Sequence, residues 1–158
     1  MGTRELPGGF DNPHVLAWLM DAGVADPRQA SGLYHDETPW CGAYVAHVTR
    51  LAGLRIPDAP ARARSWLGAG MPIDLREARI GWDIVVLQRG DGQQPGAEVL
   101  AAPGHVGFFA GLDVSPDNPL APTGVRVLGG NQSNCVSVAA FPLRRLLGVR
   151  RLLMDQAA

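Results

Sequence analysis

No run of about 18 apolar residues occurs in this chain, so no transmembrane helix is expected. The stretch from Met1 to Gly9 lacks the hydrophobic segment of a secretory signal. Met1-Gly2 is a poor myristoylation start, because Leu6 stands where Ser or Thr is wanted. Cysteine is scarce. Cys41 and Cys135, far apart in the chain, make no disulfide framework; separate thiols are expected, with a single bridge as the alternative. Charge of one sign is lacking too. The net charge is −1, and the 14 basic residues are spread out except at Arg144-Arg145 and Arg150-Arg151, which read as solvated faces. That removes any electrostatic argument for nucleic acid or a membrane surface. There is no internal repeat and no low-complexity tract. What remains is 158 residues, read as a single domain spanning 1–158 and large enough for a proper core.

The front of the chain has helical periodicity. A first helix is expected from Asp11 or Asn12, with Pro13 in its first turn, Val15, Leu16, Leu19 and Met20 on its apolar side, and Gly23 as a stop. Residues 24–37 read as a loop. Thr38-Pro39 then signals a second helix, with Thr38 as cap and Pro39 in the first helical position. Tyr44, Val45, Val48, Leu51 and Ala52 recur at helical spacing, and Gly53 ends the pattern. Pro57 and Pro60 break the chain, and a short helix from Ala61 to Leu67 precedes Gly68 and Gly70.

From Asp83 the period changes. Ile84–Leu87 reads as a strand, followed by an exposed loop over 89–103. His105–Phe109, Gly124–Leu128 and Val136–Ala139 are further strands, with a loop over 113–124 and a last strand at Val149–Leu152. Helices first and a meander of strands afterwards predict an α+β fold.

Cys41 is the residue with the most chemistry. The pattern puts it in the first turn of a helix, where the dipole and unpaired N–H groups favour a thiolate and hence a nucleophile. Such a nucleophile needs a base. His14 reads as an ordinary residue of the first helix. His47 lies six residues after Cys41, about 240° around the axis, so it points away. His105 opens a strand after Pro103-Gly104, at the rim of a sheet where a helix N-terminus can meet it. Asn131, at the end of the next strand, carries an amide oxygen that can fix the imidazole tautomer. On spacing alone, His105 as a packing residue and Cys41 as a buried structural thiol stay open. A zinc site from His35, Asp36, Cys41 and His47 fits by residue type but fails on helix geometry. Cys135, at a strand start, reads as a half-buried inert thiol.

The residues also suggest a mechanism. Cys41 as thiolate attacks an acyl carbon, and His105 holds the proton as imidazolium, passes it to the leaving group and then activates water. The backbone N–H of Cys41 is a natural oxyanion donor, with a second from the preceding loop, where Asp36 and Thr38 are the side-chain candidates. Trp40, Trp66 and Trp82 are candidates to wall a substrate groove, with a place in the core as the alternative for each.

Seven segments keep a recognisable order: Arg4-Glu5-Leu6-Pro7-Gly8 with Asn12-Pro13, Asp36-Glu37-Thr38-Pro39-Trp40-Cys41, Ala63-Arg64-Ser65-Trp66-Leu67, Asp83-Ile84-Val85-Val86-Leu87, Gly104-His105-Val106-Gly107-Phe108, Gly129-Gly130-Asn131-Gln132-Ser133-Asn134 and Val136-Ser137-Val138. Together they resemble the small cell-wall cysteine hydrolases of the NlpC and CHAP superfamily, most of all a compact phage- and bacterium-borne subgroup. The resemblance runs from near residue 4 to about 150. It implies a papain-like core, N-terminal helices on a C-terminal antiparallel sheet of about four to six short strands. It further implies Cys41 as nucleophile, His105 as general base and acid, Asn131 as the residue orienting His105, cleavage of an amide in peptidoglycan, and neither metal nor cofactor. The bond is expected in the stem peptide or at the muramoyl-alanine link. Two departures matter. Gly81-Trp82-Asp83 replaces the family's Gly-Asp pair, and Gly129 stands where many relatives have Glu, so Asn131 orients His105 unaided or with help from Gln132.

The partners expected are the peptidoglycan substrate and, by context, an immunity protein or a phage or particle tail component. The expected location is synthesis in the cytoplasm without a signal peptide, and action on the wall or periplasm after lysis, tail delivery or injection. The alternatives are a catalytically inactive wall-binding or particle component, and an acyltransferase or transglutaminase using the same Cys-His pair.

Overall fold

A computed structural model describes residues 2–7, 11–24, 38–115 and 118–155. Helix α1 spans Pro13–Asp21. Asn12 caps it by accepting from the His14 N–H at 2.9 Å, and the same side chain donates to the Arg4 carbonyl at 2.7 Å. Pro13 opens the helix because its missing N–H needs no partner there. Gly23 follows in the left-handed region at φ 77°. Val15, Trp18 and Leu19 are its buried residues, while Met20 is exposed.

Helix α2 spans Cys41–Leu51, so it begins later than the Thr38 cap expected from sequence. Trp40 occupies the cap position and makes no side-chain cap bond. Its indole is fully buried in the core, so the helix starts at a packing residue rather than at a capping one. Cys41 is therefore the first helical residue. The helix stops before Gly53, which takes φ 67°. The short helix expected over Ala61–Leu67 is a 3-10 helix at Ala63–Gly68.

The strands are β1 (Met71–Ile73), β2 (Ile84–Gln88), β3 (Gly104–Ser115), β4 (Asn118–Gly129), β5 (Ser137–Pro142) and β6 (Leu146–Arg151). They form one sheet in the order β1-β6-β2-β3-β4-β5, antiparallel throughout. The fold is α+β with a six-stranded sheet, and no helix of the described residues is long and apolar enough to cross a membrane.

β2 sits inside the sheet and is buried on both faces. Ile84 and Val86 join the core beneath the helices with Trp18, Trp40, Val45 and Trp66. Val85 and Leu87 join a second cluster on the opposite face with Phe109, Val125 and Val127. A strand covered on both sides has no polar face, and this is why the sequence shows four apolar residues in a row rather than alternation. At its entry Asp83, completely buried, takes a two-pronged ion pair from Arg151 at 2.8 and 2.9 Å and accepts from the Arg79 N–H at 2.7 Å. Those bonds tie β2 to β6.

The loop expected over 113–124 is overturned by a long β3–β4 hairpin. Its pairing includes Asp113↔Gly124, Val114↔Pro122 and Ser115↔Asn118, with register shifts around Val114. β5 pairs only with Gly124–Gly129, so β4 is an edge before Gly124. Pro119 and Pro122 fall on that edge and in the irregular stretch, where a missing N–H is tolerated. β1 was not legible either; it is three residues long with Pro72 in its middle, a marginal edge strand.

The segment before α1 adds a short brace. Gly2, Thr3 and Glu5 exchange backbone hydrogen bonds with Asn134 and Val136, beside an Arg4–Cys135 bridge. The Glu5 carboxylate accepts the buried Trp40 indole N–H at 2.8 Å.

Candidate active site

Three elements deliver the site. α2 begins at Cys41, β3 carries His105 in its first turn of pairing, opposite Leu87 of β2, and the chain after β4 carries Asn131 and Gln132. Cys41, His105, Asn131 and Gln132 line one pocket together with Arg89 and Arg145. The structure thus brings together the residues expected from sequence to carry the chemistry.

The Cys41 thiol is only 6% exposed. It receives backbone hydrogen bonds from Val106, Gly42 and its own N–H. Val106 directly follows His105, so the sulfur rests at the start of β3. Burial nevertheless pushes the thiol up from its ordinary value, against the lowering by these N–H groups and by Arg89. The sequence expectation of a thiol lowered by its helical position is corrected on this point: desolvation outweighs the helix terminus.

His105 titrates in the other direction. Burial, with added repulsion from Arg145 and Arg89, holds it down to about 4, against the raising effect of its bond to Gln132. Its Nε2 lies 3.0 Å from the Gln132 side-chain oxygen. Gln132 is itself fixed. Its amide nitrogen donates to the Val127 carbonyl at 3.2 Å, to the Ser137 carbonyl, and more weakly to the Ser137 hydroxyl at 3.4 Å. Because those acceptors claim the NH₂ group, the oxygen faces the imidazole and can only accept. His105 Nε2 is therefore the protonated nitrogen, and Nδ1 keeps the free lone pair.

The residue on His105 is Gln132 and not Asn131, which makes no hydrogen bond to it. The cause is backbone geometry. Asn131, Ser133 and Asn134 all have positive φ, at 57°, 52° and 58°. Gln132 and Cys135 exchange backbone bonds at 3.0 and 3.3 Å around Ser133-Asn134, a two-residue turn with the positive φ pair of type I′. Gln132, at the base of that turn, is buried beneath it. Gly129 leaves room beside the contact, since a Cβ there would stand 3.1 Å from both His105 Nε2 and the Gln132 oxygen and crowd them.

The other expectations divide. Trp40 and Trp66 are fully buried, with their N–H groups bonded to Glu5 and to the Pro60 carbonyl at 2.9 Å, and neither lines the pocket. Trp82 is 45% exposed but lies at the Ile84 end of β2, away from Leu87 and His105. Trp40 and Trp66 thus take the place in the core that was the other reading for each, and Trp82 stands apart from the Cys41 pocket at the far end of its strand. Thr38 does not line the pocket, and Asp36 lies outside the described residues, as does His35. His47 faces α1, 5.6 Å from the Trp18 ring and 3.8 Å from the Asp21 carboxylate. Both cysteines are free, and Cys135 donates its S–H to the Gln132 carbonyl at 3.2 Å.

Sequence reasoning missed Arg89, Arg145 and Arg64. Arg64 is completely buried and gives its guanidinium to the carbonyls of Pro103, Pro95 and Gly96 at 2.7 to 2.9 Å. It organises the irregular stretch leading into Gly104-His105. Part of that stretch, Ala101–Pro103, walls a second pocket, which shares Pro39, Cys41, Arg89 and Gly104 with the first. Cys41 thus lines two adjoining depressions. No family model matches the chain, and no curated protein matches it in sequence.

Proposed function

We propose that this chain is a cysteine hydrolase of amide bonds in peptidoglycan, with a papain-like arrangement of a thiol-bearing helix against a sheet that carries the base. The observation that supports it most is the tautomer imposed on His105. Gln132 occupies Nε2–H, so Nδ1 is left as a base in the pocket that holds Cys41.

The resting pair is a neutral thiol and a neutral imidazole, since burial raises Cys41 and lowers His105. Proton transfer then accompanies attack rather than preceding it. As Cys41 Sγ bonds to the amide carbon, its proton passes to His105 Nδ1, and the imidazolium gives it to the departing amine. Water, deprotonated by the same nitrogen, releases the acyl group from sulfur. The Cys41 N–H at the helix start donates to the oxyanion. Peptidoglycan as substrate rests on the resemblance of the seven segments.

Digestion of purified sacculi by wild type and Cys41→Ala tests the reading. Release of muropeptides by wild type and none by Cys41→Ala is the expected result. Equal release by both proteins, or none by either, leaves a non-cutting wall-binding or particle component as the better account. Products carrying an added amine in place of water would identify an acyltransferase.

A further inference from the structure

The pocket around Cys41 is positively charged. Arg89 and Arg145 line it, and among the described residues no Asp or Glu does. They arrive from neighbouring places in the sheet. Arg89 directly follows β2, and Arg145 ends the 3-10 turn that leads into β6, the strand beside β2.

Arg145 is held in position. Its Nε and Nη2 both donate to the Gln88 carbonyl at 3.1 Å, and its guanidinium lies 4.9 Å from the centre of the Phe141 ring. That ring stands 5.4 Å from His105. The Arg89 guanidinium makes no hydrogen bond or ion pair with the described residues. Four other arginines are occupied, Arg151 by Asp83, Arg126 by Asp113, Arg144 by Asp91 and Arg64 by carbonyls. Arg62, Arg76 and Arg79 share the unpaired state among the described residues, so what distinguishes Arg89 is its place in the pocket of Cys41 and His105. A chain with net charge −1 had carboxylates enough to neutralise this pair, and places none of the described ones in the pocket.

The charge has a chemical consequence. Two guanidinium groups beside His105 oppose the imidazolium that forms during attack. An anionic group arriving with the substrate reverses that opposition, and guanidinium groups are suited to a carboxylate. We infer that Arg89 and Arg145 recognise a substrate carboxylate next to the scissile amide, so that the preferred substrates are acidic stem peptides with that carboxylate free rather than amidated. The inference rests on the hydrolase reading and names its substrate class.

The test uses a synthetic stem peptide in two forms, with free carboxylates and with those carboxylates converted to carboxamides. Binding of each form is measured calorimetrically at pH 7.5 to full-length Cys41→Ala, so the outcome does not depend on turnover. The free form is expected to bind about 10- to 100-fold more tightly, the range for a charge-assisted contact. That preference should fall to near unity when Arg89→Gln and Arg145→Gln are added. Arg144→Gln, which removes an equal charge outside the pocket, should keep it. Arg89→Gln alone breaks no bond within the described residues, and it should reduce the preference even if the Arg145 variant does not fold. Equal binding of the two forms, binding of neither, or a preference that survives both substitutions overturns the inference. Release of muropeptides from sacculi by wild type but not Cys41→Ala is read separately, and it decides the hydrolase reading whatever the peptides do.

Discussion

Gln132 accepts the Nε2–H of His105 at 3.0 Å while Val127 and Ser137 hold its amide nitrogen. The pair makes the tautomer a property of the fold, set before any substrate arrives. Gln132→Ala frees the imidazole to turn or change tautomer, and turnover on sacculi should fall by about 100-fold. Asn131→Ala should cost less than about tenfold, because Asn131 lines the pocket while the ring's hydrogen bond goes to Gln132. Gln132→Glu would set a carboxylate against the ring, and the acid limb of the pH–rate profile should move upward. Equal losses in the two alanine variants would return the orienting role to Asn131.

His105 also links stability to pH. It titrates at about 4 in the folded chain against an ordinary 6.5. Between those values the unfolded chain binds a proton that the folded chain does not. Stability is therefore fully present above about 6.5 and is lost as pH falls toward 4, by at most about 3 kcal/mol. Urea unfolding at pH 7.5 and pH 4.5 should show a larger drop for wild type than for His105→Gln. Equal drops would mean that His105 is not desolvated as described.

The buried thiol should be slow to alkylate. Iodoacetamide labelling of Cys41, followed by peptide mass mapping, should stay low at pH 7 and rise only above the ordinary thiol range. Rapid labelling at pH 6 would instead indicate a preformed thiolate–imidazolium pair.

Arg64 offers a test of the wall beside Cys41. Arg64→Met removes the donor shared by Pro95, Gly96 and Pro103, leaving buried carbonyls unpaired, and should cost about 3 kcal/mol or more. Chymotryptic cleavage at Leu100 should accelerate. Arg64→Lys should not rescue it, since one ammonium cannot span the carbonyls that the guanidinium reaches. Unchanged cleavage in Arg64→Met would show that the stretch holds its own shape.

The parts of this molecule legible in its sequence are those decided locally. Asn12-Pro13 announces α1 because cap and proline act on adjacent residues, and Ile84–Leu87 announces β2 because a doubly covered strand needs no polar face. Cys41 and His105 were found because each sits at the end of an element, and element ends leave a local trace. The β3–β4 extension was hidden because Pro119 and Pro122 read as loop until the edge and the register shifts show where they are tolerated. Gln132 was taken for a helper because which of two adjacent amides turns inward depends on three left-handed residues that no periodicity reveals. Trp40 and Trp66 could not be assigned to groove or core, because their acceptors, Glu5 and the Pro60 carbonyl, become visible only in three dimensions.

The brace at residues 2–5 has a last consequence. It bonds on one side to Asn134 and Val136, just past Gln132, and through Glu5 on the other to Trp40, the residue before Cys41. It is a tie rod between nucleophile and base, made of a few bonds at the rim. α2 and the sheet each keep their own hydrogen bonds when it lets go. Under mild denaturant this rim should open early, as weakly held segments do, parting Cys41 from His105 while the spectroscopic signature of helix and sheet persists. On the proposed reading, activity on sacculi should therefore be lost at a lower denaturant concentration than the fold, through four residues at the rim.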